Sequence, residues 1–282
     1  MTANLVSHVA VGSSATVAAP PSNSVTSADR RHGRGLAYRA RGMREDRLGD
    51  YSSCSWRLVG GLGLEEGASS DDGGWTSVFH AQLYGLGERA HLASPLNDLE
   101  THIQDLLGVL KFEDLREVVL IGHSYGGMVA TGVADRARDR IAQLIYLDAF
   151  VPTNGQALID LLPSDERQRL LDNAKTGDGW RVAPNPIPPD TSPEDLRWIT
   201  NFRMPQSIKC FEQPLQLQAE LNLPRAYIHC TRYADKKPFA QFASRANSEA
   251  GWRAFELDAS HSQNVTAPAA FMEVLWQILS ED

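Results

Sequence analysis

Ser124 lies in Gly122-His123-Ser124-Tyr125-Gly126-Gly127, and a serine flanked by glycines at this spacing can be an attacking hydroxyl. The six residues follow the apolar run Glu117–Ile121 (EVVLI) and open a helical stretch from about Tyr125 to Arg138. That context gives the G-x-S-x-G pattern its physical meaning. A chain that turns sharply from strand to helix holds the serine in a strained conformation, and small residues two before and two after it avoid a clash. The hydroxyl is then expected at the C-terminal edge of a parallel sheet, where α/β proteins bind ligands. The Tyr125 N–H, at the start of the helix, is the expected donor to an oxyanion.

Such a serine needs a base. His261 sits in Asp258-Ala259-Ser260-His261-Ser262, just past the run Trp252–Leu257 and before the last helical stretch. A loop at a strand's C-terminal edge is where an imidazole could meet Ser124. The other histidines carry less chemistry. His123 belongs to the turn itself, and His229, inside a strand, reads as core rather than as a ligand. His8, His32, His80, His91 and His102 have no partners at metal-ligand spacing.

The positioning elements follow from periodicity. Val78–Leu83 reads as a short strand. Asn97 and Glu100 read as a capping box, opening a helix whose apolar face is Leu99, Ile103, Leu106, Leu107 and Leu110. EVVLI and Ile141–Leu147 are continuous apolar runs, as strands buried on both faces must be. Helical stretches at Ala157–Asn173 and Pro193–Phe202, separated by the Pro-rich APNPIPPDTSP, interrupt the alternation. It resumes as strand Arg225–Cys230, helix Pro238–Ala246, strand Trp252–Leu257 and helix Ala267–Leu279. Strands alternating with helices imply a parallel sheet covered on both faces. The expected organisation is a core of residues 51–152 and 207–282 with a cap insertion at 153–206. Residues 1–50, rich in small residues and then in mixed charge, read as disordered or loosely attached, with an irregular strand near Leu36–Tyr38 as the alternative.

Composition sets outer bounds. A chain of 282 residues can bury a core without metals or disulfides. The net charge of −8 argues against a nucleic-acid partner. Cys54, Cys210 and Cys230 are odd in number and widely spaced, so they read as free thiols in a reducing compartment, with Cys230 in the core. No apolar run approaches the ~18 residues that span a membrane. The N-terminus lacks a basic leader, so the expected location is the cytoplasm.

LIGHSYGGMV, LDAFVP, GLGERAHL and the terminal LDASHS…TAP closely resemble bacterial α/β-hydrolases related to plant methylesterases and hydroxynitrile lyases. FEQPLQL at Phe211–Leu217 resembles that family's return from the cap, and SCSWRLVGGL at Ser53–Leu62 faintly resembles its first helix. The likeness covers about residues 76–282. It implies the α/β-hydrolase fold, a mostly parallel sheet flanked by helices with a helical cap, and a Ser–acid–His triad. Two departures stand out. The family carries a His-Gly pair after an early strand, next to a second oxyanion N–H, and residues 30–55 hold no equivalent; His32-Gly33 sits in a charged stretch. Loss of one such donor costs about 10²–10³ in rate. The family's usual acid position falls on Tyr233. Asp235, two residues later beside Lys236 and Lys237, is one replacement. Asp148, at the end of the IYL strand, is the preferred one, because some α/β-hydrolases use that site and it can reach the histidine from a neighbouring strand end.

The resulting expectation is a serine esterase with Ser124, His261 and Asp148 as its triad and Tyr125 as an oxyanion donor. Its partner is a small-molecule ester, with no nucleic acid, membrane, metal or organic cofactor, and it acts as a monomer or homodimer. Phe150, Trp198, Phe202 and Met204 are expected to line the acyl or alcohol pocket or to form the cap's own core. Two rivals remain at this point. One is a hydroxynitrile lyase-like C–C lyase, although the resembling lyases carry a lysine where Ser262 stands. The other is a non-catalytic binding protein on the same fold.

Overall fold

The computed structural model describes the backbone of residues 56–60 and 77–79 and all of residues 81–233 and 238–280. Expectations about residues 1–50, His32-Gly33, Cys54 and Asp235 lie outside the described residues. Among the described residues, six strands form one sheet. They are β1 (Trp56–Gly60), β2 (Ser77–Phe79), β3 (Val118–His123), β4 (Ile141–Leu147), β7 (Arg225–Cys230) and β8 (Trp252–Leu257). Their spatial order is β2-β1-β3-β4-β7-β8. From β3 to β8 every pairing is parallel. β1 pairs antiparallel with both β2 and β3. Its place as a strand corrects the expectation that Ser53–Leu62 contributes a first helix. β2 ends at Phe79, so the strand expected over Val78–Leu83 is shorter than its apolar content suggested.

Alternating side chains of the central strands enter two different cores, because successive Cβ atoms of a strand point to opposite faces. Val118, Leu120, Leu144, Tyr146 and Tyr227 join one core. It also takes in helices α1 (Leu99–Phe112), α2 (Gly126–Arg136) and α6 (Ala240–Ser248). Val119, Ile121, Ile145, Leu147, Ala226 and Ile228 join the other, packed on helix α8 (Pro268–Ser280), which follows the short α7 (Gln263–Thr266). This is why β3 and β4 carry no polar alternation. Each fully buried side chain of this size contributes about 1.5–3 kcal/mol.

The chain between β4 and β7 is built differently. A 3₁₀ turn at Leu158–Leu161 gives way at Pro163 to α3 (Ser164–Thr176), then come β5 (Arg181–Val182), α4 (Pro193–Ile199), a 3₁₀ turn at Thr200–Phe202, β6 (Gln206–Ser207) and α5 (Lys209–Glu212). β5 and β6 form a separate antiparallel pair. The single helix expected over Ala157–Asn173 is split because Pro163 lacks an N–H for the helical ladder. At α1 the N-cap is Asp98, whose carboxylate accepts the Thr101 N–H at 2.9 Å in a capping box with Thr101. Asn97 and Glu100 therefore do other work. The Asn97 side chain accepts the Ser94 N–H at 2.6 Å, and Glu100 pairs with Arg136 at 2.7 Å.

Candidate active site

Parallel neighbours end at the same edge of a sheet, and three of the residues read from the sequence stand at such ends. Ser124 follows β3, Asp148 follows β4, and His261 lies four residues beyond β8. Ser124 has φ 56°, in the left-handed region that non-glycine residues rarely adopt. Its carbonyl accepts both the Gly127 N–H at 3.0 Å and the Phe150 N–H at 3.1 Å, which holds the sharp turn. A Cβ on Gly122 would lie 2.8 Å from the Gly126 carbonyl oxygen, and one on Gly127 only 1.9 Å from that of Phe150. The motif thus needs a third glycine, Gly127, so that the elbow can press against the end of β4. Tyr125 caps α2, and its backbone N–H begins that helix.

The Ser124 hydroxyl donates to His261 Nε2 at 3.0 Å. The opposite nitrogen, Nδ1, donates to Asp148 Oδ2 at 2.7 Å. Hydroxyl, imidazole and carboxylate therefore form one line, with Asp148 almost wholly buried. Burial pushes the Asp148 carboxyl up, but hydrogen bonds from His229 and His261 outweigh it and hold the group down at about 2. The carboxylate is ionised at neutral pH.

Two rings pack against the His261 imidazole. Phe239 stacks on it with centroids 4.8 Å apart and planes at 12°. His123 lies 4.5 Å away on a tilt, and its Nε2–H donates to the His261 carbonyl at 2.8 Å. Burial, with the neighbouring His261, pulls the His123 imidazole down to about 3, so it is a neutral donor. Around the elbow, the Tyr125 hydroxyl lies 2.9 Å from His102 Nδ1, while His102 Nε2 meets the Tyr84 carbonyl at 3.1 Å. The carbonyl can only accept, so Nε2 carries the proton and the tyrosine donates to Nδ1. Desolvation lowers the His102 imidazole, in keeping with a neutral ring.

Ser124, His261 and Asp148 are brought together; the Asp235 alternative lies outside the described residues, as does the 30–55 stretch searched for a second oxyanion donor. His229, read as core, instead has Nδ1 at 3.3 Å from Asp148 Oδ1. Strand register could have found it, since Leu147 pairs with Ile228 and the next residues are Asp148 and His229. His102 was passed over because it has no metal-ligand spacing, and its actual partners are an aromatic hydroxyl and a carbonyl. Of the residues offered as pocket lining, Phe150 is core, edge-on to Phe239 and Phe242. Trp198 and Phe202 pack on each other at 5.6 Å, and Met204 packs against the larger core. Cys210 and Cys230 are buried free thiols. No group of three or more His, Cys, Asp or Glu among the described residues could hold a metal ion, and no described helix is long and apolar enough to cross a membrane.

A family model described as the alpha/beta hydrolase family matches residues 26–274. The chain belongs to the alpha/beta hydrolase family. A relative from Nocardioides sp. (strain SG-4G), named a carbendazim hydrolyzing esterase, is 36% identical over 204 residues, covering 68% of this chain and 83% of its own. Two solved structures share the fold. An extracellular alpha/beta-hydrolase from a Paenibacillus species has a TM-score of 0.56 and 21% identity, over 69% of this chain and 84% of its own. A methylesterase from Arabidopsis has a TM-score of 0.53 and 20% identity, over 72% and 86%. The plant methylesterase likeness read from the sequence therefore extends to the fold.

Proposed function

We propose that this alpha/beta hydrolase is a carboxylic ester hydrolase that cleaves small esters through an acyl-enzyme on Ser124. The observation that carries the reading is the 3.0 Å and 2.7 Å relay from the Ser124 hydroxyl through His261 to Asp148. The esterase name of the 36% identical relative supports the same reaction class. As Ser124 Oγ attacks the ester carbonyl, His261 Nε2 takes its proton, and the ionised Asp148 stabilises the imidazolium that forms. The Tyr125 N–H stabilises the oxyanion. The tetrahedral intermediate collapses, its C–O bond breaks, and His261 protonates the leaving alcohol. Water then attacks the acyl group with His261 again as base, which releases the acid and restores the serine.

Residues 153–206 then act as a cap over the sheet edge, with 51–152 and 207–282 as the core. The two buried free thiols fit the cytoplasmic location expected from the sequence. Ser262 stands where the resembling lyases carry the lysine that holds the departing cyanide, and this favours the esterase. The test is p-nitrophenyl acetate turnover, with carbendazim as a second substrate. The wild type should show a burst of p-nitrophenol. Ser124→Ala and His261→Ala should remove nearly all turnover, and Asp148→Asn should lower kcat by about 10⁴. Asp235→Asn should change little. A crippled Asp235→Asn beside an active Asp148→Asn would transfer the acid role to Asp235, and no burst at all would favour the binding-protein reading.

A further inference from the structure

We propose that His229 is a positioning residue that fixes the Asp148 carboxylate, so that one oxygen stays aimed at His261. The inference rests on the triad reading above and extends it to a residue that touches neither Ser124 nor its base. A carboxylate turns easily about its Cβ–Cγ bond, and a single hydrogen bond through Oδ2 leaves that torsion loosely held. Here the second oxygen is held as well. Oδ1 lies 3.3 Å from His229 Nδ1 and 3.3 Å from the Cys230 N–H. The Cys230 amide is fixed by strand β7, and the Asp148 N–H donates to the Ile228 carbonyl at 2.7 Å, continuing the ladder between β4 and β7. Asp148 is itself in the left-handed region, at φ 43°, so the backbone turns there and presents its side chain to the end of β7.

The chemistry of the contact fixes its direction. An ionised carboxylate only accepts, so His229 Nδ1 must carry the proton and donate. β7 lies between β4, which carries the acid, and β8, which leads to the base. A donor on β7 is therefore placed to hold the acid from the side facing its catalytic partner. Oδ1 then has two donors and Oδ2 has His261 Nδ1. Supporting shells of this kind govern how accurately a reacting group is aimed.

The role separates from simple strand packing by chemical rescue. In the full-length protein, with p-nitrophenyl acetate, His229→Leu removes the donor and keeps an apolar filler. His229→Asn returns an N–H near the position of Nδ1. His229→Gln carries its amide one bond too far out. A hydrogen bond to a charged group accounts for about a 10- to 100-fold effect, so kcat of His229→Leu should fall by that factor with KM within about twofold. His229→Asn should recover most of kcat, while His229→Gln should resemble the leucine variant. If His229→Leu does not fold, the Asn and Gln variants alone carry the comparison. Unchanged kcat in His229→Leu, or an Asn variant no better than Gln, overturns the proposal. Turnover that Asp148→Asn abolishes and His229→Leu leaves intact rejects this inference alone. A wild type with neither burst nor dependence on Asp148 rejects the triad reading, and this inference with it.

Discussion

An imidazole that must pass a proton between two oxygens works best if its ring cannot swing, and two rings pack against His261. Phe239 stacks on it, and His123 lies against it on a tilt while donating to the His261 carbonyl. A neutral His123 suits this post, since a second cation would oppose the imidazolium. That neutrality carries a dependence on pH. Burial lowers the His123 imidazole from its ordinary 6.5 to about 3. Below pH 6.5 the unfolded chain takes up a proton that the folded one refuses. The stability this group contributes is therefore complete above pH 6.5 and is lost as the pH falls towards 3. His123→Gln keeps a donor near Nε2 and does not titrate. Urea unfolding at pH 7 and 4.5 should show a drop in stability that is about 2 kcal/mol smaller in His123→Gln than in the wild type. Equal drops would mean that folding does not lower the His123 imidazole. Asp148 acts in the same sense at lower pH, its folded carboxyl at about 2 being lost from about pH 4 downwards.

Elements deliver these residues, and most of the delivering elements were legible in the sequence. EVVLI and IAQLIYL declared themselves as buried strands because both of their faces are covered, and the glycine-flanked serine declared the turn between strand and helix. Less legible was whatever depends on a neighbour distant in sequence. Gly127 lies outside the G-x-S-x-G pattern; its need comes from the Phe150 carbonyl, three residues beyond β4. His229 looked like a core residue until register set it beside Asp148. The capping box is Asp98 with Thr101, one residue on from the pair expected, and Glu100 is instead engaged by Arg136 on α2, a tertiary contact that local pattern does not contain. Gly127→Ala should destabilise the fold by about 2–3 kcal/mol or more and disturb the serine, since the methyl meets backbone that cannot yield. Gly155→Ala offers the contrast. Gly155 has φ 82° and open space around it, so only the cost of a left-handed alanine remains, about 1 kcal/mol. Paired urea melts and p-nitrophenyl acetate assays distinguish the two, and equal losses of activity would contradict the close-packed elbow.

At the scale of the whole described molecule, one arginine joins the proposed cap to the loop that carries the base. The Arg232 guanidinium lies 3.1 Å from Asp190 Oδ2, in the Pro-rich stretch between β5 and α4, and 3.2 Å from Asp258 Oδ2, three residues before His261. The same guanidinium donates to the Asp258 carbonyl at 3.0 Å. Its ties are partly open to water, so each is screened by salt. Arg232→Leu should expose the 183–192 stretch to limited proteolysis and raise KM by about twofold to fivefold, with kcat less affected. Unaltered cleavage and KM would show that the cap holds without this tie. Everything else depends on Ser124 being a nucleophile that His261 activates. The most direct measurement is reaction of the intact protein with a fluorophosphonate, followed by mass spectrometry of the peptide containing Gly122–Gly127. One adduct per chain is expected on Ser124, absent in Ser124→Ala and formed far more slowly in His261→Ala. Label on another residue, or none on an intact folded protein, would contradict it.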